Sequence, residues 1–517
     1  MTLEILDDSE VPSDRFGRRE RGGIAGSGLD GAQLACTAAV IAVAVLWVVL
    51  DAGSFIGLPL VVVLGLLGFT MFRFRGETFI ALTVRPLRYF RRHLSGQTRF
   101  DRDVWHTKKE IEMKKGTPVP GKQLPVRIGA FDLPGASEHI HMYQSGHTGG
   151  GAFLIDFKEQ TVALTIAVES QAWKLRDPAT KRNAYDGFVE YLNSLTTLLG
   201  VIQVDARIRV DSAPATRLAE HAAAQDAIHP VSEVRDAVRD SYERLVDEHA
   251  PRSMEFSNFV TLTFATRQLA QQIKDNGGGL AGIDGYLNEL VQTTITESIE
   301  KADVTVTAWL KARGYQARFS QAMDPVSFTK EMLDASPQQR REMAHPPVMA
   351  IRERPDRITV DGSIHQVFWL TEWPRNRKKV GFLDRLLYAG DGTRTLLLQL
   401  RPVPDHKASN RIVTRLTSLE AARQIRERRG IIETADQKKE REETEKREEL
   451  ISDGYADIEY RGFVAIAAGT PEELDRSRSA VVNAARSTSI TMALMWHQQA
   501  SAFATVVLPL NAKGKAA

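Results

Sequence analysis

The sequence predicts an α/β protein: an N-terminal pair of apolar helices, then two units in which strands and helices alternate. Three observations predict it. Two uncharged runs, Leu34–Leu50 and Phe55–Phe72, stand almost back to back near the start. From Ala152 onward, stretches with period-two apolar patterning alternate with stretches of helical spacing. The order of elements in that region is then met again after residue 344.

The apolar runs come first. Each approaches the ~20 residues that cross a bilayer core as a helix. Arg15, Arg18, Arg19 and Arg21 precede them, Arg73, Arg75, Arg85, Arg88, Arg91 and Arg92 follow, and Asp51 lies in the turn between. Positive residues stay in the cytoplasm. The expectation is a cytoplasmic tail over 1–32 and a transmembrane helix hairpin over 33–73. That makes a multi-pass protein of the cell membrane with both termini cytoplasmic. A mixed-charge start without a small-residue cleavage site does not fit a signal peptide.

Bulk charge is nearly balanced, 67 Lys+Arg against 65 Asp+Glu, and does not argue for nucleic acid. The single cysteine, Cys36, cannot form an internal disulfide. Residues 74–133 form a basic segment and linker. Arg85–Lys115 is rich in Arg and Lys, which contact with anionic headgroups explains; contact with DNA is not predicted. Thr117–Leu133 is rich in Pro and Gly and reads as a connector.

The first unit spans 134–343. Ala152–Phe157 and Thr161–Val168 read as a hairpin turning at Lys158–Gln160. Tyr185, Phe188, Leu192, Leu195 and Leu199 repeat at helical spacing, and Gly200 stops that helix. In Val201–Val210, residues Ile202, Val204, Ala206, Ile208 and Val210 share one strand face. A polar helix over Ala215–Glu248, a strand over Phe256–Phe264, a helix over Leu280–Ala312 and a strand over Tyr315–Phe319 complete the unit. Hairpin, helix, strand, helix, strand predicts an α/β sandwich of ferredoxin-like character.

The second unit spans 344–511, before a tail at 512–517. Ile358–Val360 and Ile364–Leu370 flank the turn pair Asp361-Gly362. A short helix over Phe382–Tyr388 and a strand over Thr393–Leu400 follow. Residues 412–451 are highly charged. From Arg423 to Glu449 there are nine basic and nine acidic residues, which predicts a solvated helical hairpin inserted in the unit. Tyr460–Ala468 is a strand, Pro471–Ala485 a helix, Ser489–Met495 a strand, and Phe503–Leu510 a last strand.

Motifs for chemistry are sparse. The stretch QSGHTGGG, Gln144–Gly151, packs four glycines into eight positions. Gly146 and Gly151 have P-loop spacing, yet Ala152 and Phe153 stand where a phosphate-binding Lys and a hydroxyl are needed. A strand follows rather than a helix, so no helix dipole faces a phosphate. The glycines read as a flexible lead into that strand. His139, His141 and His147 cluster without a nearby Cys or HExxH helix, and read as exposed histidines rather than zinc ligands. No cofactor, metal or catalytic residue is expected, and the chain is not read as an enzyme.

The stretch His365–Val403 carries a resemblance. An apolar strand ends in Trp373-Pro374-Arg375, a short helix with Phe382-Leu383 and Leu386-Leu387 follows, and a strand over Thr393–Leu400 ends in a proline turn. This resembles the N-terminal domain of conjugative type IV secretion ATPases of the TraC/TrbE type. The pattern continues through Arg411–Arg429, the charged hairpin and Phe463–Ala468. The apolar helix pair is similar in layout to PrgI, the membrane partner of such ATPases. With the pair in front, the chain resembles an actinobacterial group of integral membrane proteins, some labelled EccE-like, encoded in conjugative elements. The ATPase motor domain with its Walker motifs has no counterpart here.

The resemblance implies a non-catalytic, membrane-anchored structural component of a type IV secretion channel that docks a secretion ATPase supplied in trans. It also implies contacts with other channel subunits, the lipid bilayer and further copies of the chain. The candidate partner-binding residues are Arg423, Arg426, Arg428 and Arg429 on the charged hairpin, with Trp373 and Arg375. The alternatives are an EccE-type component of a type VII translocon and a membrane-anchored transferase.

Overall fold

The computed structural model describes residues 13–14, 73–74, 77–101, 125–130, 140–170, 176–212, 240–241, 244, 254–328, 348–374, 378–379, 381–403, 405–428 and 435–508. Fourteen strands form one antiparallel sheet. They are β1 (Arg99–Asp101), β2 (Val126–Ala130), β3 (Ile140–Gln144), β4 (Ala152–Asp156), β5 (Thr161–Ser170), β6 (Val201–Ser212) and β7 (Met254–Ala265). Then follow β8 (Val304–Trp309), β9 (Ala350–Glu353), β10 (Ile358–Val360), β11 (Ser363–Glu372), β12 (Thr393–Val403), β13 (Asp457–Ala468) and β14 (Thr491–Leu494). The order across the sheet is β1-β9-β10-β11-β13-β12-β6-β7-β5-β4-β3-β2. β8 pairs with the far part of β5, and β14 with the far part of β11.

The described helices are α1 (Phe79–Leu94), α2 (Pro178–Thr197), α3 (Ala270–Asp275), α4 (Gly279–Leu290), α5 (Thr296–Lys301) and α6 (Ala312–Met323). A π-helical turn, Val291–Ile295, joins α4 to α5. The second half carries α7 (Asp384–Leu387), α8 (Asp405–Arg428), α9 (Ala435–Ser452), α10 (Pro471–Ser487) and α11 (Gln499–Val506).

The two halves repeat one plan. β5-α2-β6-β7-α4-β8 gives the spatial order β8-β5-β7-β6, and β11-α7-β12-β13-α10-β14 gives β14-β11-β13-β12. The second strands of the two motifs, β6 and β12, lie side by side, with Leu396 opposite Ile208 and Leu398 opposite Ala206. A glycine with positive φ leads into each: Gly200 at 78° and Gly392 at 87°. Both are conformations that a side chain disfavours.

Local chemistry fixes the elements. Asp156 Oδ1 accepts from the backbone N–H of Lys158 and Glu159, closing the β4–β5 turn. Asp361, at φ 46°, turns β10 into β11, as the Asp-Gly pair predicts. Asp177 caps α2 ahead of Pro178. Thr470 and Glu473 form a capping box ahead of α10.

Helices cover both faces of the sheet. One face meets α6 and α11, through Tyr315, Met323, Ala502, Phe503 and Val506 on Leu154, Phe259, Val367, Leu397 and Phe463. The other meets α2 to α5 through Tyr191, Leu195, Leu287 and Ile295 in the first half. In the second half it meets α7 and α10 through Leu386, Leu474 and Val481. A strand buried on both faces is expected to read as apolar throughout. β4 is apolar and buried from Ala152 to Ile155, and only its last residue, the buried Asp156 of the turn, departs from the pattern.

Several expectations are corrected. Phe503–Leu510 is not a closing strand: Gln499–Val506 is a helix whose Ala502, Phe503 and Val506 share the buried face. Tyr315–Phe319 lies within α6, because Tyr315 and Ala322, seven residues apart, face the same core. The helix expected over Leu280–Ala312 ends at Lys301, and Val304–Trp309 forms strand β8. The connector contains a strand, β2.

The expected multi-pass placement in the cell membrane is also corrected. Among the described residues no helix is long and apolar enough to cross a membrane, and the three longest, α8, α2 and α9, all carry charged residues. The apolar runs that prompted the expectation, and the hairpin over 33–73 apart from Arg73, lie outside the described residues, as does most of the helix expected over 215–248.

Candidate functional site

Where the two motifs meet, the sheet buries a row of polar side chains. The even positions of β6, including Val204 and Val210, face the cores under α2 and α10. From residue 203 on, the odd positions are Gln203, Asp205, Arg207, Arg209 and Asp211, and each is below 7% exposed. Strand alternation points all five toward α6 and α11.

Each is held by partners. Arg207 donates from Nε to the carbonyl of Val506 at 2.9 Å and from Nη2 to that of Thr505 at 3.1 Å, capping the end of α11. Arg209 grips Asp211 with two bonds, at 2.7 and 2.8 Å, and donates to the Gln321 carbonyl near the end of α6. Asp211 also accepts from Gln321 and Thr393. Asp205 accepts from Gln203 and Gln399, and Arg401 donates to Gln203. The ends of α6 and α11 thus meet guanidinium groups of one strand, which satisfies carbonyls that helix ends leave open.

Burial dominates the electrostatics. It raises the Asp205 carboxyl and lowers the Arg207 guanidinium, each partly offset by the other's charge. His365 on β11 is pushed down to about 4 by burial, with Arg209 adding repulsion against the opposing effect of its bond to the Met323 carbonyl. A crevice lined by Arg209, His365, Thr393 and Thr395 has no space for a water-sized molecule. The row can tie the halves together.

Two glycines of the stretch, Gly150 and Gly151, are closely packed, whereas Gly149 stands in open space. A Cβ on Gly151 would lie 2.3 Å from the Trp309 ring, and one on Gly150 would lie 2.3 Å from Ser145 Oγ. Gly146 N–H is held by the buried Asp284 carboxylate, an acceptor that would repel phosphate. Strand β4 follows, as expected. His141 pairs with Arg127 and meets the edge of Phe157, while His139 lies outside the described residues. Among the described residues no group of three potential ligands could hold a metal ion.

Three of the candidate partner-binding residues have described side chains: Trp373, Arg423 and Arg428. Trp373 is half-buried, with ring centroids 5.4 Å from Tyr460 and 6.5 Å from Phe382, so it packs the sheet. Arg423 pairs with Glu420 and Glu427 on its own helix, and its hydrogen bond lowers the Glu420 carboxyl. Arg428 is exposed at the end of α8. Arg426 falls on α8 with its side chain undescribed, and Arg375 and Arg429 lie outside the described residues.

The charged hairpin itself is present. α8 and α9 pack on each other between β12 and β13. Ala408 and Ile412 are buried at its root, whereas Val413 is already 56% exposed. Arg447 of α9 bonds Asp457, and Arg411 of α8 bonds Glu459, both on β13. Beyond this root most described residues of the hairpin are exposed.

Sequence reasoning missed the buried row. Its signal was the set of charged residues, two Arg between two Asp, at every second position of DARIRVD, Asp205–Asp211, opposite the apolar face. No family model and no curated protein matches the chain.

Proposed function

We propose that the chain is a non-catalytic structural component of a type IV secretion or conjugation channel, docking a separate secretion ATPase of the TraC/TrbE type. In this reading each half follows the ferredoxin-like plan, and the α8–α9 hairpin is the docking element. The sequence resemblance running from His365 through the hairpin supports the reading. The observation that carries it is the hairpin's form: rooted in the sheet by Ala408, Ile412 and Arg447, and exposed along most of its described length. Charges of both signs set register and reject wrong partners at such a surface.

The test replaces residues 424–449 of the full chain with a short Gly/Ser linker. Circular dichroism and thermal melting establish that the rest stays folded. Co-purification with the ATPase encoded beside the gene is expected to be lost. Undiminished co-purification would remove the hairpin from the interface.

A further inference from the structure

Helix α1 lies against the second half of the sheet by one face. Arg92 forms a salt bridge with Glu353, 3.0 Å from Nη1 to Oε2, and Tyr89 donates to the Glu353 carbonyl at 3.3 Å. Glu353 is 6% exposed and also accepts from the first-turn N–H of Ala500 in α11. Tyr89 meets the His497 ring with centroids 5.3 Å apart. The helix is thus fixed, and its opposite face has a fixed direction.

That opposite face is apolar and exposed. Leu87, Phe90 and Leu94 are 68%, 58% and 72% exposed, at the i, i+3, i+7 spacing of one helical stripe. Exposed Arg88 and Arg91 border it, and α1 carries no carboxylate along its length. Trp496, 54% exposed, stands beside His497 on the loop that Tyr89 and Arg92 touch.

We propose that this face docks an acidic amphipathic segment of a partner protein. Its apolar side would cover Leu87, Phe90 and Leu94, and its carboxylates would meet Arg88 and Arg91. Charge complementarity carries the choice. The described cations on the helix are arginines rather than lysines, and the planar guanidinium fork matches an oxyanion, carboxylate or phosphate, with two parallel bonds, which is why the test below sets an acidic peptide against anionic vesicles. Trp, Phe and Arg are also the side chains that dominate protein interface energetics, where Lys is depleted. The stripe spans about two helical turns, roughly 10 Å, the length of a helix-on-helix seat. This surface does not depend on the α8–α9 hairpin.

The test uses the full chain and fluorescence anisotropy of a labelled 18-residue peptide with leucines at i, i+3, i+4 and i+7 and glutamates elsewhere. A control peptide carries lysines in place of the glutamates, and phosphatidylglycerol vesicles probe a lipid surface. The acidic peptide is expected to bind. R88E/R91E and L87S/F90S are each expected to weaken it at least tenfold with an unchanged melting temperature, since all four positions are exposed. The lysine peptide is expected to bind R88E/R91E better than it binds the native chain. No binding of the acidic peptide, binding unchanged in both variants, or binding of the vesicles alone would overturn the proposal.

Discussion

Arg207 reaches from the middle of the sheet to the carbonyl of Val506, 299 residues along the chain, at 2.9 Å. It lies on a strand of the first half and caps a helix of the second. The contact joins the duplicated motifs through side chains as well as through the β6–β12 ladder.

Arg207→Leu is therefore expected to destabilise the chain by about 3 kcal/mol, the range for breaking a buried charged contact. Two α11 carbonyls lose their donor, and Asp205 loses the charge that offsets its burial. Adding Asp205→Asn to Arg207→Leu is expected to recover part of the loss, because the unpaired carboxylate goes with it. Urea denaturation of the two variants beside the native chain checks this. Equal losses in the single and double variants would show that Asp205 is already neutral.

His365 makes stability depend on pH. Its folded pKa is about 4, below the ordinary value of 6.5, so the unfolded chain takes up the proton first. The neutral ring's contribution is fully present above pH 6.5 and is lost as pH falls toward 4. The slope is up to about 1.4 kcal/mol per pH unit inside that window. His365→Gln keeps a donor for the Met323 carbonyl and removes the titration. Between pH 6.5 and 5 its stability is expected to fall less steeply than that of the native chain. Parallel curves from denaturant melts would refute the assignment.

The glycine run that precedes β4 gives a third test. Gly151→Ala places a methyl within the Trp309 ring, which donates from Nε1 to the Ala152 carbonyl and is buried. Overpacking of this kind costs about 1–3 kcal/mol. A lowered melting temperature is expected, with no calorimetric heat from magnesium–ATP for either the native or the variant chain. Saturable nucleotide heat lost on Gly151→Ala would restore the phosphate reading.

These sites show how far the sequence speaks for itself. The Asp361-Gly362 turn, the hairpin at Lys158–Gln160 and the charged pair α8–α9 were all legible, because each rests on neighbours in the chain. The ends of the two halves were not. Phe503–Leu510 reads equally well as a strand or a buried helix, and its neighbours across the core, among them His365 and Val367, are over a hundred residues away. The row on β6 was hidden for the same reason. Asp and Arg at every second position signal a solvent face unless two helix ends are known to lie on it, and α6 and α11 are placed there by tertiary packing. The candidate docking residues Trp373 and Arg423 show a further limit of the sequence. Both satisfy partners at short range, Tyr460 and Glu420, which composition cannot distinguish from availability.

The root of the hairpin gives the last test. Arg447 donates to Asp457 Oδ1 from Nη2 at 2.5 Å and from Nε at 3.2 Å. Asp457 is 7% exposed and opens β13, whereas the Arg447 side chain is about one-third exposed. Solvent screens the pair from one side, so Arg447→Ala is expected to cost about 1 kcal/mol and no more. The local effect is expected to be larger than the global one. Without the tie, α9 depends on its packing against α8, and helices that share few buried contacts open at low free energy. Hydrogen exchange along Glu442–Leu450 is expected to speed up severalfold while exchange in β13 and β12 stays at the native rate. Raising the salt to 1 M shortens the Debye length to about 3 Å and is expected to narrow the difference between variant and native chain. Faster exchange spread evenly over the hairpin and the sheet would mean that the two open as one unit, and that the root does not separate them.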